Sequence, residues 1–231
     1  MNKAEDAGYK IAPVSDFSKF KPSDKVLLLR HDVDLSLDYA YEMAAMEHSI
    51  GYHSTYYILL HSPCYNALSP KGMEIIKFIS EFDHEIGLQA DSRYMLPSDP
   101  YLLREIIGMD KQIKTYAQHY PSLTKQPNIN NIVDSKEISM KYLSDSGRNW
   151  REGCLCKNLE KHKQIQCLCH PIWWMSNSKN RGEALKQLMR NRLDETIESV
   201  TDYSEVLANY VRDELGLEVQ WRTKVQQVKE V

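Results

Sequence analysis

Apolar residues along the chain gather into short runs that alternate with stretches of helical spacing. The first run, Val26–Leu29, is continuous and then turns abruptly polar at Arg30-His31-Asp32-Val33-Asp34. A compact apolar run of this kind predicts a buried parallel strand whose C-terminal end opens onto a polar site. Ser36 supplies an N-cap for residues 37–50, where Ala40, Met43, Ala44 and Glu47 fall on one helical face, and Gly51 supplies the stop. His53–Leu60 is rich in β-branched and aromatic residues and predicts a second strand. Further on, the pattern predicts a helix over 71–82 opened by Ser69-Pro70, a strand over 84–91 and a helix over 99–119. A short strand over 123–125, a helix over 135–144 and a strand over 165–170 follow. From Asn180 to Leu215 the spacing is helical, as two helices.

Strand and helix alternate with short connections for most of the length, which is the signature of βαβ units and a parallel sheet. No repeat, low-complexity tract or linker divides residues 1–231, so a single domain is expected. Residues 1–24 are polar, carry Pro13 and Pro22, and read as a surface arm. Residues 128–163 are the least regular stretch.

Composition narrows the function class. The chain is 42% hydrophobic and 26% charged, ordinary for a globular protein with a sizeable core. A net charge of -3 and a pI near 6.2 lack the basic excess of nucleic-acid binders, so no nucleic-acid partner is expected. No uninterrupted apolar run reaches the ~18 residues of a membrane span. The opening MNKAEDAGYK lacks the basic start and apolar run of a secretion signal, and the five cysteines are odd in number. A reduced, cytoplasmic setting is the expectation. Nothing in the sequence fixes an oligomeric state.

Asp32 and Asp34 stand two apart at a strand end, so both point to one face while His31 and Val33 point to the other. Two carboxylates this close resist joint ionisation unless a cation lies between them or one keeps a proton. That suits metal-assisted hydrolysis, with one carboxylate on the metal and the other taking a proton from water. Helix capping and turn hydrogen bonding after a strand explain the same spacing equally well.

The longer string favours chemistry. LLLRHDVDLSLDYAYEMAAMEHSIGYHSTYYILLHSPCYN, followed by HEIGLQAD and later by CLCHPIWW, resembles the polysaccharide deacetylase (NodB-homology) superfamily, in its branch with an HDVD first motif. The resemblance runs from about Val26 to Trp174 with the motifs in order. It implies a distorted, incomplete, seven-stranded (β/α) barrel. It also implies a carbohydrate partner, because members remove acetyl groups from sugars of surface polysaccharides, O-antigen among them. A divalent metal, usually zinc, polarises the acetyl carbonyl and activates water. Carried over by residue, Asp32 matches the general base, Asp34 the metal-binding aspartate, and His170 the acid that protonates the leaving group.

The sequence departs from that pattern at the second motif. Gln89 stands where relatives place a histidine ligand, and Arg93 stands four residues on, where many place another. Lys125-Gln126-Pro127 aligns with a His-Gln-Pro of some relatives. A glutamine amide is a weak zinc ligand and an arginine is none. Asp34 with Asp91 and His61 remains as a reduced ligand set, with Gln89 beside it. Alternatively, Arg93 and Lys125 supply positive charge where the metal would sit. A chain altered in this way is expected to be a deacetylase with a degenerate metal site, or an inactive carbohydrate-binding or assembly protein on the same fold. A hydrolase or lyase run by Asp32, His170 and Lys125 without metal is a third reading. Trp150, Arg151, Trp173 and Trp174 lie in segments around the expected mouth and suit sugar binding, though the tryptophans suit packing beneath loops equally. The Asp145-Ser146-Gly147 stretch leading to Trp150-Arg151 also resembles a family element, and either Asp145 or Arg151 is expected to orient His170 or bind substrate. Cys154-x-Cys156 and Cys167-x-Cys169 offer four thiolates for a structural zinc, against the simpler reading of buried core cysteines.

Overall fold

The computed structural model describes residues 2–120 and 132–214. It forms two compact units, Met1–Asn177 and Ser178–Val231. In the first, eight strands form one sheet: β1 Lys10–Ala12, β2 Val26–Val33, β3 Thr55–Ile58, β4 Glu85–Ala90, β5 Thr115–Gln118, β6 Val133–Asp134, β7 Lys141–Ser144 and β8 Gln164–Cys169. Its helices are α1 Asn2–Asp6, α2 Leu37–Ser49, α3 Pro70–Glu81, α4 Asp99–Ile107, α5 Leu155–Asn158 and α6 Pro171–Met175. The second unit holds α7 Arg181–Tyr203, capped by Asn180, and α8 Glu205–Asp213. No helix of the described residues is long and apolar enough to cross a membrane.

Every strand pair is parallel, and the main path runs β6-β5-β4-β3-β2-β8-β7. In a flat sheet β6 would lie four strand spacings from β2, about 19 Å. Instead Arg30 of β2 donates through Nη1 to the Ser135 hydroxyl, just past β6, at 2.8 Å. Gln166 of β8 donates to the Ser135 carbonyl at 2.9 Å. The sheet is therefore curled, and among the described residues its path stays open between β6 and β7. This is an incomplete (β/α) barrel.

Side-chain alternation sorts the strands into two faces. Leu27, Leu29, Ile165, Cys167 and Cys169 pack outward with Tyr9, Leu143 and Leu159. Tyr56, Ile58, Ile86 and Leu88 meet α2, α3 and α4 in a second outer cluster. Val26, Leu28, Tyr57 and Ala117 fill the interior. The capping signals of α2 hold as expected: the Ser36 hydroxyl accepts from the Tyr39 N–H, and Gly51 takes φ +79°.

Three elements differ from the sequence pattern. Residues 1–24 are not a loose surface arm: β1 pairs with the first half of β2, and Val14, Phe17 and Phe20 pack into the interior cluster beneath the strands. The helix expected over 99–119 ends at Ile107, where Gly108 takes φ +108°, and the chain re-enters the sheet as β5. The helix expected over 135–144 is a short 3₁₀ turn, Ser135–Glu137, followed by strand β7. The strand expected over 123–125 lies outside the described residues.

Candidate functional site

At the C-terminal end of β2 the interior face continues from Leu28 to Arg30, Asp32 and then Asp34. Arg30 is buried, and its Nε and Nη2 reach Asp32 Oδ1 at 3.1 and 2.5 Å. Its guanidinium also lies 4.5 Å from the centre of the Tyr57 ring. Burial alone would weaken this cation, but the Asp32 carboxylate holds its pKa above the ordinary arginine value. Tyr57 can occupy the interior because its neighbour on β4 is Gly87, where a Cβ would sit 2.4 Å from the Tyr57 ring. The Glu85 carboxylate in turn accepts from Thr55, Thr115 and the Ser15 N–H. The HEIG string thus ties β3, β4, β5 and the N-terminal segment together beneath Asp32.

Asp34 is partly exposed one residue beyond β2. Gln89 donates from Nε2 to its Oδ1 at 2.6 Å. The Nε2 atoms of His119 and His170 each stand 3.7 Å from an Asp34 oxygen. Burial, reinforced by the Asp32 charge, raises the Asp34 pKa against the opposing pull of the two histidines and Gln89. His170 begins α6 just after β8. Its Nδ1 lies 2.6 Å from Asp145 Oδ1, and its backbone N–H donates to both Asp145 oxygens at 3.1 and 3.2 Å. The Trp174 indole donates to Asp145 Oδ2 at 2.8 Å. Burial pulls the His170 pKa down, but the hydrogen bond to Asp145 and the charges of Asp34 and Asp32 outweigh it, so the net shift is upward.

The candidate metal ligands do not converge. Asp91 is engaged by Arg93, with Nε to Oδ1 at 2.9 Å and Nη2 to Oδ2 at 2.6 Å, and by His119 Nδ1 at 3.2 Å. The Arg93 contact holds the Asp91 pKa far below the carboxylate range. His61 pairs with Asp99 at 3.0 Å, not with Asp34. Gln89 spends its N–H on Asp34, and its buried Oε1 has no hydrogen-bond partner; an amide oxygen by itself is a weak zinc ligand. Among the described residues no three or more His, Cys, Asp or Glu side chains group where a metal ion could be held. The donor set present does not fit the zinc that the sequence resemblance implies. The two CxC pairs do not form a zinc site either: Cys167 and Cys169 are buried in the outer core, while Cys156 is exposed on α5.

Above these groups opens a cleft of about 780 Å³ that Arg30, Asp32, Asp34, Gln89, His119 and His170 line. Trp150 and Arg151 also border it. A smaller adjoining pocket of about 260 Å³ shares Asp32, Asp34 and His170, and Trp173 borders it. Trp174 and Arg93 do not line either pocket: one is bonded to Asp145 and the other to Asp91. Lys125 lies outside the described residues.

No protein-family model matches the chain, and no curated protein does. Solved structures do. A CE4 family pseudoenzyme from Bacillus anthracis is similar at 13% identity, over 76% of this chain and 63% of that one, with a TM-score of 0.48. A chitin deacetylase from the fungal pathogen Colletotrichum lindemuthianum is similar at 12% identity, over 78% and 86%, with a TM-score of 0.47. The peptidoglycan deacetylase PdaC from Bacillus subtilis is similar at 11% identity, over 80% and 99%, with a TM-score of 0.46. The chain spans just under two thirds of the pseudoenzyme's length.

Two site residues escaped the sequence pattern. Arg30 opens the polar stretch that follows Val26–Leu29, and the sequence pattern gives it no role. Its position two before Asp32 was the signal that it shares the carboxylate face. His119 falls at the end of the helix expected over 99–119, whereas in the structure it follows strand β5. Gly108, followed by Thr115-Tyr116-Ala117, was the signal for a break and a new strand.

Proposed function

We propose that the chain is a degenerate carbohydrate deacetylase, a protein that binds an acetylated amino sugar in the cleft above Asp34 without an efficient metal-assisted hydrolysis. The observation that carries this reading is the Gln89 hydrogen bond to Asp34, 2.6 Å long, at the position where the resemblance calls for a metal-binding imidazole. The remaining candidate donors are committed elsewhere, Asp91 to Arg93 and His61 to Asp99. The resemblance also supports the ligand class, an amino sugar of a surface polysaccharide, O-antigen included.

A second reading, hydrolysis of the acetyl group, is favoured by one feature. His170 is held by Asp145 on one side and faces Asp34 on the other. In that reading Asp32 takes a proton from the attacking water and His170 gives one to the departing sugar. Incubating the protein with N-acetylated oligosaccharides and excess zinc, while measuring acetate release and sugar binding together, separates the two. Binding without acetate release supports the first; sustained turnover that Asp32→Asn abolishes overturns it in favour of the second.

A further inference from the structure

Beside the acid–base groups, the cleft carries an aromatic feature that neither reading uses. Tyr120 follows His119 directly, lines both the large cleft and the adjoining pocket, and is 52% exposed. Its backbone takes φ +49°, a left-handed conformation that a bulky residue rarely adopts. Such outliers persist where surrounding contacts hold them, and they gather at ligand sites. Here those contacts are identifiable. The Tyr120 ring lies 3.9 Å, centroid to centroid, from the His119 imidazole. The Arg93 guanidinium lies 5.7 Å from the Tyr120 ring centre and 5.2 Å from that of Tyr94. Arg93 is itself fixed by its two-pronged bond to Asp91, which also bonds His119. Asp91, Arg93, Tyr120 and His119 therefore form a closed circuit, and its exposed tyrosine borders the cleft.

We infer that Tyr120 is the stacking platform for a pyranose ring of the bound carbohydrate, and that Arg93 is a positioning residue that holds the platform. This rests on the carbohydrate reading above. An exposed aromatic face receives the apolar C–H face of a pyranose, while the phenol tip stays wet. A cation 5.7 Å from the ring centre restrains its tilt. Tyr142 and Trp150 line the same cleft and supply further aromatic surface for an extended sugar.

The test is saturation-transfer NMR and titration with a panel of N-acetylhexosamine oligosaccharides on the full chain. Wild type should show the strongest transfer to protons on one face of a ring. Tyr120→Ala and Tyr120→Leu should each weaken binding at least tenfold, Tyr120→Phe less than twofold, and all three should keep the wild-type melting temperature. Arg93→Ala should weaken binding several-fold in the wild-type background and not at all in the Tyr120→Ala background, because a positioning residue acts only through its platform. If wild type binds the panel and Tyr120→Ala or Tyr120→Leu binds equally well, the platform assignment is overturned and the carbohydrate reading stands. Additive losses from Arg93→Ala and Tyr120→Ala would remove Arg93 as the positioner. A wild type that binds no member of the panel overturns the carbohydrate reading and the platform together.

Discussion

Two carboxylates divide the His170 imidazole between them. Asp145 takes Nδ1, so the proton on that nitrogen is fixed, and Nε2 is left facing Asp34. The hydrogen bond and the charges raise the His170 pKa above the ordinary 6.5 despite its burial. A raised histidine contributes stability that is fully present below the unfolded value of 6.5 and is lost as pH rises through the folded value. Replacing Asp145 with Asn removes both the negative charge and the strongest of these bonds. The His170 titration, followed by imidazole NMR, should then move below its wild-type midpoint, and the alkaline loss of stability should begin earlier. An unmoved midpoint would show that Asp145 does not set the charge state. At this scale Asp32, Asp34 and His170 were legible in the sequence because each ends an apolar run that turns polar. Their partners were less so, because Arg30 and His119 make sense only once the interior face of the sheet is known.

Among the elements, the β3–β4 pair shows how the framework serves the site. Tyr57 lies over Gly87, donates to Thr115 at 2.9 Å and supports the Arg30 guanidinium that engages Asp32. A methyl group at position 87 would approach Tyr57 to 2.4 Å and the Thr115 carbonyl to 3.0 Å, so the ring must move. Overpacking of this kind costs about 1–3 kcal/mol. Gly87→Ala is expected to lower the denaturation midpoint by a corresponding amount, and an unchanged midpoint would mean that the interior is looser than its packing indicates. On the outer face, Glu47 of α2 bonds His31, Ser54 and Tyr56, fixing α2 to β2 just behind the carboxylates. Burial would raise the Glu47 pKa, but His31 and Ser54 hold it below the usual value. The pattern read α2, α3 and β4 well, since caps and periodicity agreed there. It failed at α4–β5, where the helical spacing runs through Ile106 and Ile107 and four strand residues are too few to show alternation. It failed again at β7, whose four residues are paired by β8 alone among the described strands.

The first unit is a parallel sheet curled tightly enough for Ser135, past β6, to bond Arg30 and Gln166 across the interior. That curl brings the ends of β2, β4, β5 and β8 around one cleft, where Asp34 meets Gln89, His119 and His170. The parallel sheet, and the strand ends that carry the candidate site, were legible because an alternating βα pattern leaves few ways to build such a sheet; the strand order was not read from the sequence. The curl was expected from the family resemblance and not from periodicity, because it depends on contacts between residues 105 and 31 positions apart in sequence. The proposed reading requires that this cleft hold no tightly bound zinc, since Gln89 and not an imidazole meets Asp34. Zinc titration of the purified chain by calorimetry, with the metal content checked after dialysis, tests it most directly. Wild type should retain well under one zinc per chain, and Gln89→His should gain affinity because it restores an imidazole beside Asp34. One tightly held zinc per wild-type chain, lost on Asp34→Ala, would contradict the account.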